Sequence, residues 1–145
     1  MSGVTDPSEA YFKDGVWGFH SGVWQKLAMV WGFSAQYVEK VSEAGVAAGN
    51  VTLSFVEVPP GVVRVVLGVA AYNDTTVVAR TTMSVVQDGD TFILRITIAP
   101  VAMETALLER PMTCVAGDEV KVTFVTCVAG DNVYAYAWGY DMDLS

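Results

Sequence analysis

The stretch Asn132-Val133-Tyr134-Ala135-Tyr136-Ala137-Trp138 places Val133, Ala135 and Ala137 opposite Tyr134, Tyr136 and Trp138. A period of two is the mark of a β-strand, because successive side chains leave opposite faces of a pleated backbone. The same alternation holds in Val51 to Val56 and in Val120 to Phe124. Thr91 to Ile98 sets Phe92, Leu94, Ile96 and Ile98 on one side and Thr91, Arg95 and Thr97 on the other. Val77 to Val86 alternates less cleanly, through Arg80, Thr82 and Ser84. Val62 to Tyr72 is almost continuously apolar except at Arg64 and Gly68, which predicts a central strand.

Turn signals punctuate these runs, among them Ala48-Gly49-Asn50, Pro59-Pro60-Gly61, Asn73-Asp74, Gln87-Asp88-Gly89-Asp90, Ala116-Gly117-Asp118 and Ala129-Gly130-Asp131. Short β-prone segments with turns at close, regular spacing predict an all-β chain, an antiparallel β-sandwich of about eight strands. Gln25 to Glu43 holds mostly poor helix formers and is read as two strands broken near Gly32-Phe33-Ser34. Val101 to Glu109 has better helix formers and is expected to carry one short helical turn.

The chain has 145 residues, the size of one domain. Hydrophobic residues make up 52% and charged residues only 17%, which leaves little polar surface to cover a small sphere and predicts burial against neighbouring subunits. A membrane span is not expected: Leu27 to Val38 falls short of about 20 apolar residues and contains Gly32, Ser34 and Gln36. Residues 1–15 carry Asp6, Glu9, Lys13 and Asp14 without an apolar core, so they are read as a polar N-terminal arm rather than a signal peptide. Residues 16–145 are read as a single sandwich domain. The net charge is −8 and the eight Lys and Arg residues are spread singly, so no nucleic-acid partner is expected.

Cys114 and Cys127 each sit in the string Thr-Cys-Val-Ala-Gly-Asp, at 113–118 and 126–131. The strand between them, Glu119 to Thr126, separates them by roughly 23 Å, too far for a bridge whose Cα atoms sit within about 7 Å. Two free, buried thiols follow. The repeated string is read as one turn used twice, with Gly supplying a positive φ and Asp tying the turn through its side chain.

Little chemistry is visible. His20 is the only histidine, so a four-ligand His/Cys zinc site lacks ligands and a nucleophile–base pair is thin. The paired acids Asp88/Asp90, Asp118/Glu119 and Asp141/Asp143 lie in turns or at the tail; a loop calcium site from Asp88, Asp90 and Asp131 is the sharper version of that idea. No catalytic, cofactor-binding or metal-binding residue is assigned, no cofactor is expected, and the chain is read as a non-enzyme. The aromatics are divided between core and interface, and Tyr11, Phe12, Trp17, Phe19, Trp24, Trp31, Tyr136, Trp138 and Tyr140 are the interface candidates.

Val58-Pro59-Pro60-Gly61-Val62-Val63-Arg64-Val65-Val66 followed by Ala70-Ala71-Tyr72-Asn73 resembles a pattern in small structural proteins of tailed bacteriophages. So do Asp14-Gly15-Val16-Trp17, Gly22-Val23-Trp24-Gln25-Lys26-Leu27, and the ending from Ala116-Gly117-Asp118 through Ala129-Gly130-Asp131-Asn132-Val133-Tyr134 to Gly139-Tyr140-Asp141-Met142. The resemblance implies a jelly-roll-like sandwich that coats a capsid or forms part of the neck, tail or baseplate. A capsid decoration (cement) protein is expected first, as a homo-oligomer, most naturally a trimer, bound to the major capsid protein or other virion proteins. It would be located in the virion and assembled in the host cytoplasm. A carbohydrate- or receptor-binding β-sandwich module is the alternative of another class.

Overall fold

The computed structural model describes the backbone of Trp17–His20, Val23–Lys26 and residues 33–144, and the side chains of residues 35–144. In chain order the strands are β1 (Trp17–His20), β2 (Val23–Lys26), β3 (Phe33–Glu43), β4 (Gly49–Ser54), β5 (Val62–Asn73), β6 (Arg80–Gln87), β7 (Asp90–Ile98), β8 (Ala106–Leu108), β9 (Met112–Cys114), β10 (Glu119–Cys127) and β11 (Val133–Asp143). Among the described residues no helix is long and apolar enough to cross a membrane. β1 and β2 form a separate antiparallel pair.

Two sheets make the sandwich, ordered β3-β11-β5-β8 and β4-β10-β6-β7. β9 also pairs with β5, at Arg64–Val66, while β8 pairs at Val69–Ala71. They act as one edge strand interrupted at Glu109-Arg110-Pro111, where proline has no amide to donate. Counted that way, eight strands run from β3 onward. The first pairs with the eighth, the second with the seventh, the third with the sixth and the fourth with the fifth. A long hairpin rolled up on itself has this order, and the fold is a jelly roll.

The core follows from alternation on the inner faces. β11 contributes Val133, Ala135 and Ala137, and β5 contributes Val66, Val69 and Ala71. The facing sheet brings larger groups, Phe124 and Val122 from β10, Met83 and Val85 from β6, and Leu53 from β4. Small residues on one sheet against large ones on the other allow dense packing. At one end Arg64 forms a two-pronged ion pair with Asp141 (2.8 and 3.1 Å), donates to the Val56 carbonyl at 3.2 Å, and lies 3.8 Å over the Tyr37 ring. Burial and a 2.7 Å hydrogen bond to Glu39 hold the Tyr37 proton in place well above the usual phenol range. The one charge in the otherwise apolar β5 is therefore a partnered plug.

The repeated string forms the same turn at both ends of β10. Val115 N–H donates to Asp118 Oδ2 at 2.8 Å, and Val128 N–H donates to Asp131 Oδ2 at 2.8 Å. Gly117 and Gly130 take φ of 89° and 94° and donate to the carbonyls of Val58 and Val46, both at 2.9 Å. Val58 and Val46 in turn donate back to the carbonyls of Asp118 and Asp131, both at 3.0 Å. Cys114 and Cys127 are both free and buried, as the spacing requires.

Two expectations change and one alternative is set aside. Val101 to Glu109 holds no helix: Glu104 ties a turn through its bond from the Val101 amide, Met103 takes a positive φ of 66°, and Ala106–Leu108 then pairs with β5. Pairing with β5 overrides local propensity. The single alternation read along β7 fails at Leu94. Ser84 lies opposite Ile93 but Met83 lies opposite Arg95, so Leu94 is an extra, bulged residue. Phe92, Arg95 and Thr97 therefore share the core-facing side with Val85, Met83 and Thr81, while Ile93, Ile96 and Ile98 turn outward. The alternative set aside is the calcium triple. Asp88 lies where β6 turns into β7, at the Asp118 end of β10, whereas Asp131 lies at the other end, a strand length of roughly 30 Å away.

Asp131 is 1% exposed and also accepts hydrogen bonds from Asn73 (2.8 Å) and Thr76 (2.8 Å). Asp131→Ala leaves three donors without their acceptor and is expected to cost about 3 kcal/mol by urea denaturation. Burial pushes its pKa up, but the bonds from Val128, Asn73 and Thr76 outweigh that and hold it below the ordinary 3.8. Its stabilisation is therefore complete above that value and is lost as pH falls through the lower folded-state pKa, so the gap between wild type and Asp131→Ala narrows in acid.

Candidate functional site

The outer face of the β3-β11-β5-β8 sheet carries the aromatic side of the strand on which the sequence was first read. Register sets its residues in transverse rows. Ser42, Tyr134 and Tyr72 lie side by side on β3, β11 and β5; next come Lys40, Tyr136, Ala70 and Leu107; then Val38, Trp138 and Gly68; then Gln36, Tyr140 and Val65. Small residues on β5 leave room for the rings of β11. A Cβ placed on Gly68 would lie 2.2 Å from the Trp138 ring, so the indole packs directly on that backbone. Gly139 serves the same crossing: a Cβ there would meet the Val65 carbonyl oxygen at 1.9 Å. This is where β5 slips by one residue against β11, between Trp138 and Gly139.

The tyrosines stack on one another. Tyr72 and Tyr134 have ring centroids 4.9 Å apart at 19°, and Tyr72 and Tyr136 are 6.3 Å apart at 14°. Lys40 Nζ stands 5.4 Å from the Tyr134 ring centre and 5.8 Å from that of Tyr136. The ring faces thus cover each other, and edges and hydroxyls are what the surface offers. Tyr134 donates its hydroxyl to Asp74 at 3.3 Å. Around this patch Val38 is 67% exposed, with Leu67 and Leu107 also exposed. A half-buried aromatic centre with an apolar margin and hydroxyls suits protein contact.

Of the residues singled out from sequence, Tyr136, Trp138 and Tyr140 come together here, all half-buried. Trp17, Phe19 and Trp24 lie on β1 and β2, with Phe19 opposite Trp24; their side chains, and all of Tyr11, Phe12 and Trp31, lie outside the described residues. Sequence reasoning missed Tyr72, Lys40 and Val38. Alternation of Gly68 and Ala70 with larger neighbours on β5 was the available signal, since small residues at every second position mark where rings from the next strand lie. Among the described residues no group of three or more His, Cys, Asp or Glu side chains is placed to hold a metal ion. Burial, with Asp118 nearby, pushes the Cys114 thiol up to about 11, and burial likewise raises that of Cys127.

No protein-family model matches the chain, and no curated protein matches it in sequence. Among solved structures, dimeric latent PorU from Porphyromonas gingivalis is similar at 14% identity with a TM-score of 0.36, over 78% of this chain and 14% of that one. This chain spans a small part of that protein, and a likeness of this size says nothing about function.

The phenol of Tyr72 titrates above its ordinary 10.0, chiefly through its interaction with the Tyr136 phenol stacked beside it, and also through burial and the neighbouring Tyr134 and Asp74. Tyr136→Phe removes the hydroxyl behind that interaction. In the absorbance titration the Tyr72 component is expected to shift toward the ordinary value while that of Tyr37, held higher by burial and Glu39, stays in place, with the far-UV circular dichroism unchanged.

Proposed function

We propose that this chain is a virion structural protein of a tailed bacteriophage, a capsid decoration protein that binds the major capsid protein and stabilises the shell by protein–protein contact. The observation that carries the proposal is the apolar surface left open on both outer faces: Ile93, Ile96 and Ile98 on one sheet and Val38, Leu107 and the aromatic rows on the other. Exposed apolar patches on both sides of one small domain are what a bridging subunit needs. The sequence resemblance described above supplies the viral context, the threefold arrangement and a location in the virion. A place in the neck, tail or baseplate rests on the same features and differs in copy number, a few dozen or fewer per particle rather than hundreds.

A glycan-binding module is the weaker reading. Sugar recognition by aromatics uses ring faces, and the faces of Tyr72, Tyr134 and Tyr136 are stacked on each other or lie under Lys40.

Purified chain incubated with undecorated capsids of the phage that encodes it is expected to cosediment with them and to raise their resistance to heat. Val38→Asp and Leu107→Asp introduce charge into the proposed contact without touching the core, and the pair together is expected to weaken capsid binding by about a hundredfold. Cosedimentation unchanged by both substitutions would remove this face from the contact, and no binding by the wild type would remove the proposal.

A further inference from the structure

On one flank of the sandwich, edge strand β7 of one sheet stands beside the β8/β9 edge of the other. Ile93, Leu94, Leu108, Arg110, Pro111 and Met112 line a groove of about 190 Å³ between them. Small-molecule sites run from about 300 to 1,000 Å³, so this groove suits a side chain or two of a peptide rather than a cofactor. The adjacent free edge of β7 is poorly made for simple strand addition. It carries the bulge at Leu94 and, next to it, Arg95 on the core-facing side, and both features guard an edge strand against pairing. An occupant must therefore be held by its side chains.

The charges narrow what that occupant is. Arg110 lines the groove and Arg95 follows Leu94 on its β7 wall; both are exposed, and neither pairs with a carboxylate among the described residues. On a chain of net charge −8, two arginines beside one apolar groove call for a segment that is acidic and apolar at once. The segment 1–15, outside the described residues, combines Asp6 and Glu9 with Tyr11 and Phe12, and Asp14 with Lys13. Extended, fifteen residues span up to about 50 Å, enough to reach a neighbouring domain.

We propose that the β7–β9 groove receives residues 1–15 of a neighbouring copy, with Tyr11 or Phe12 entering between Leu94 and Met112 and Asp6 and Glu9 opposite Arg95 and Arg110. The proposal rests on the assembly function above and gives it a concrete link between copies: each subunit offers one groove and one segment, a head-to-tail contact that makes a ring where the rotation between copies closes.

The test uses the full chain. Sedimentation equilibrium of the wild type is expected to show self-association that weakens with salt. R95E/R110E is expected to weaken it at least tenfold, with folding checked by circular dichroism. Adding D6R/E9R to that variant restores opposite signs and is expected to recover association. A photo-crosslinker at position 12, in a mixture of isotope-labelled and unlabelled chains, is expected to join label to non-label within residues 93–112. A monomeric wild type, undiminished association of R95E/R110E, no recovery in the charge-swapped variant, or crosslinks confined to a single chain would each overturn the proposal. Capsid cosedimentation is measured on the same samples. Capsid binding with any of those results removes the groove contact and leaves the decoration function; groove crosslinks without capsid binding do the reverse.

Discussion

Two buried carboxylates fix the strand on which much of the fold depends. β10 pairs with β4 on one side and β6 on the other, and its two ends are closed by Asp118 and Asp131. A buried carboxylate is costly unless its oxygens are filled with hydrogen bonds. Each here takes the amide that starts its own turn and then reaches further, Asp118 to Gln87 at 2.9 Å and Asp131 to Asn73 at the end of β5. The turn glycines add a pair of backbone bonds to Val58 and Val46, the residues flanking β4. Asp131 thereby ties the β4-β10-β6-β7 sheet to β5 in the facing one. With both ends of β10 held, the register of its neighbours and the inward direction of Val122 and Phe124 follow.

What was legible in the sequence was local. Gly-Asp turns announce themselves because a positive φ and a side-chain acceptor are properties of two or three adjacent residues. The strand alternations in β4, β10 and β11 were legible for the same reason, and they led to a β-sandwich with two free cysteines. The β6–β7 hairpin was equally readable: Asp88 and Gly89 take φ of 51° and 83°, the pair of positive values a two-residue turn requires. The bulge at Leu94 was not readable, because nothing in Phe92-Ile93-Leu94-Arg95-Ile96 marks which residue is skipped by the partner strand. Only pairing with Met83 and Ser84 decides it. One skipped residue parted Ile96 and Ile98 from Phe92, with which simple alternation groups them, and turned them onto the surface. Helix propensity in Val101 to Glu109 failed for a parallel reason, since Ala106 and Leu108 are buried only by pairing with β5.

The aromatic face was half legible. Tyr134, Tyr136 and Trp138 shared a side by simple alternation, but their neighbours came from strands more than sixty residues away in sequence. Whether those neighbours were large or small decided what the rings became. Tyr72 beside Tyr134 produced a stack, whereas Gly68 beside Trp138 let the indole lie down on bare backbone.

The bulge in β7 does two things at once. It twists the edge and brings Arg95 to the core-facing side, which discourages a second sheet from adding to the free backbone. It also turns Ile93, Ile96 and Ile98 outward beside Ser84, Thr82 and Arg80, leaving Ile93 62% and Ile98 72% exposed. A chain that needed only to stay soluble would carry polar residues at those outward positions, as Thr52 and Thr123 do on the same face, where they hydrogen-bond at 2.9 Å. Blocking the backbone while leaving the side chains apolar restricts association to partners that match side chains. Such partners are selected by shape and charge, whereas an open strand edge accepts almost any extended segment. That combination fits the proposed assembly role, in which a subunit joins a defined neighbour without polymerising through its sheets.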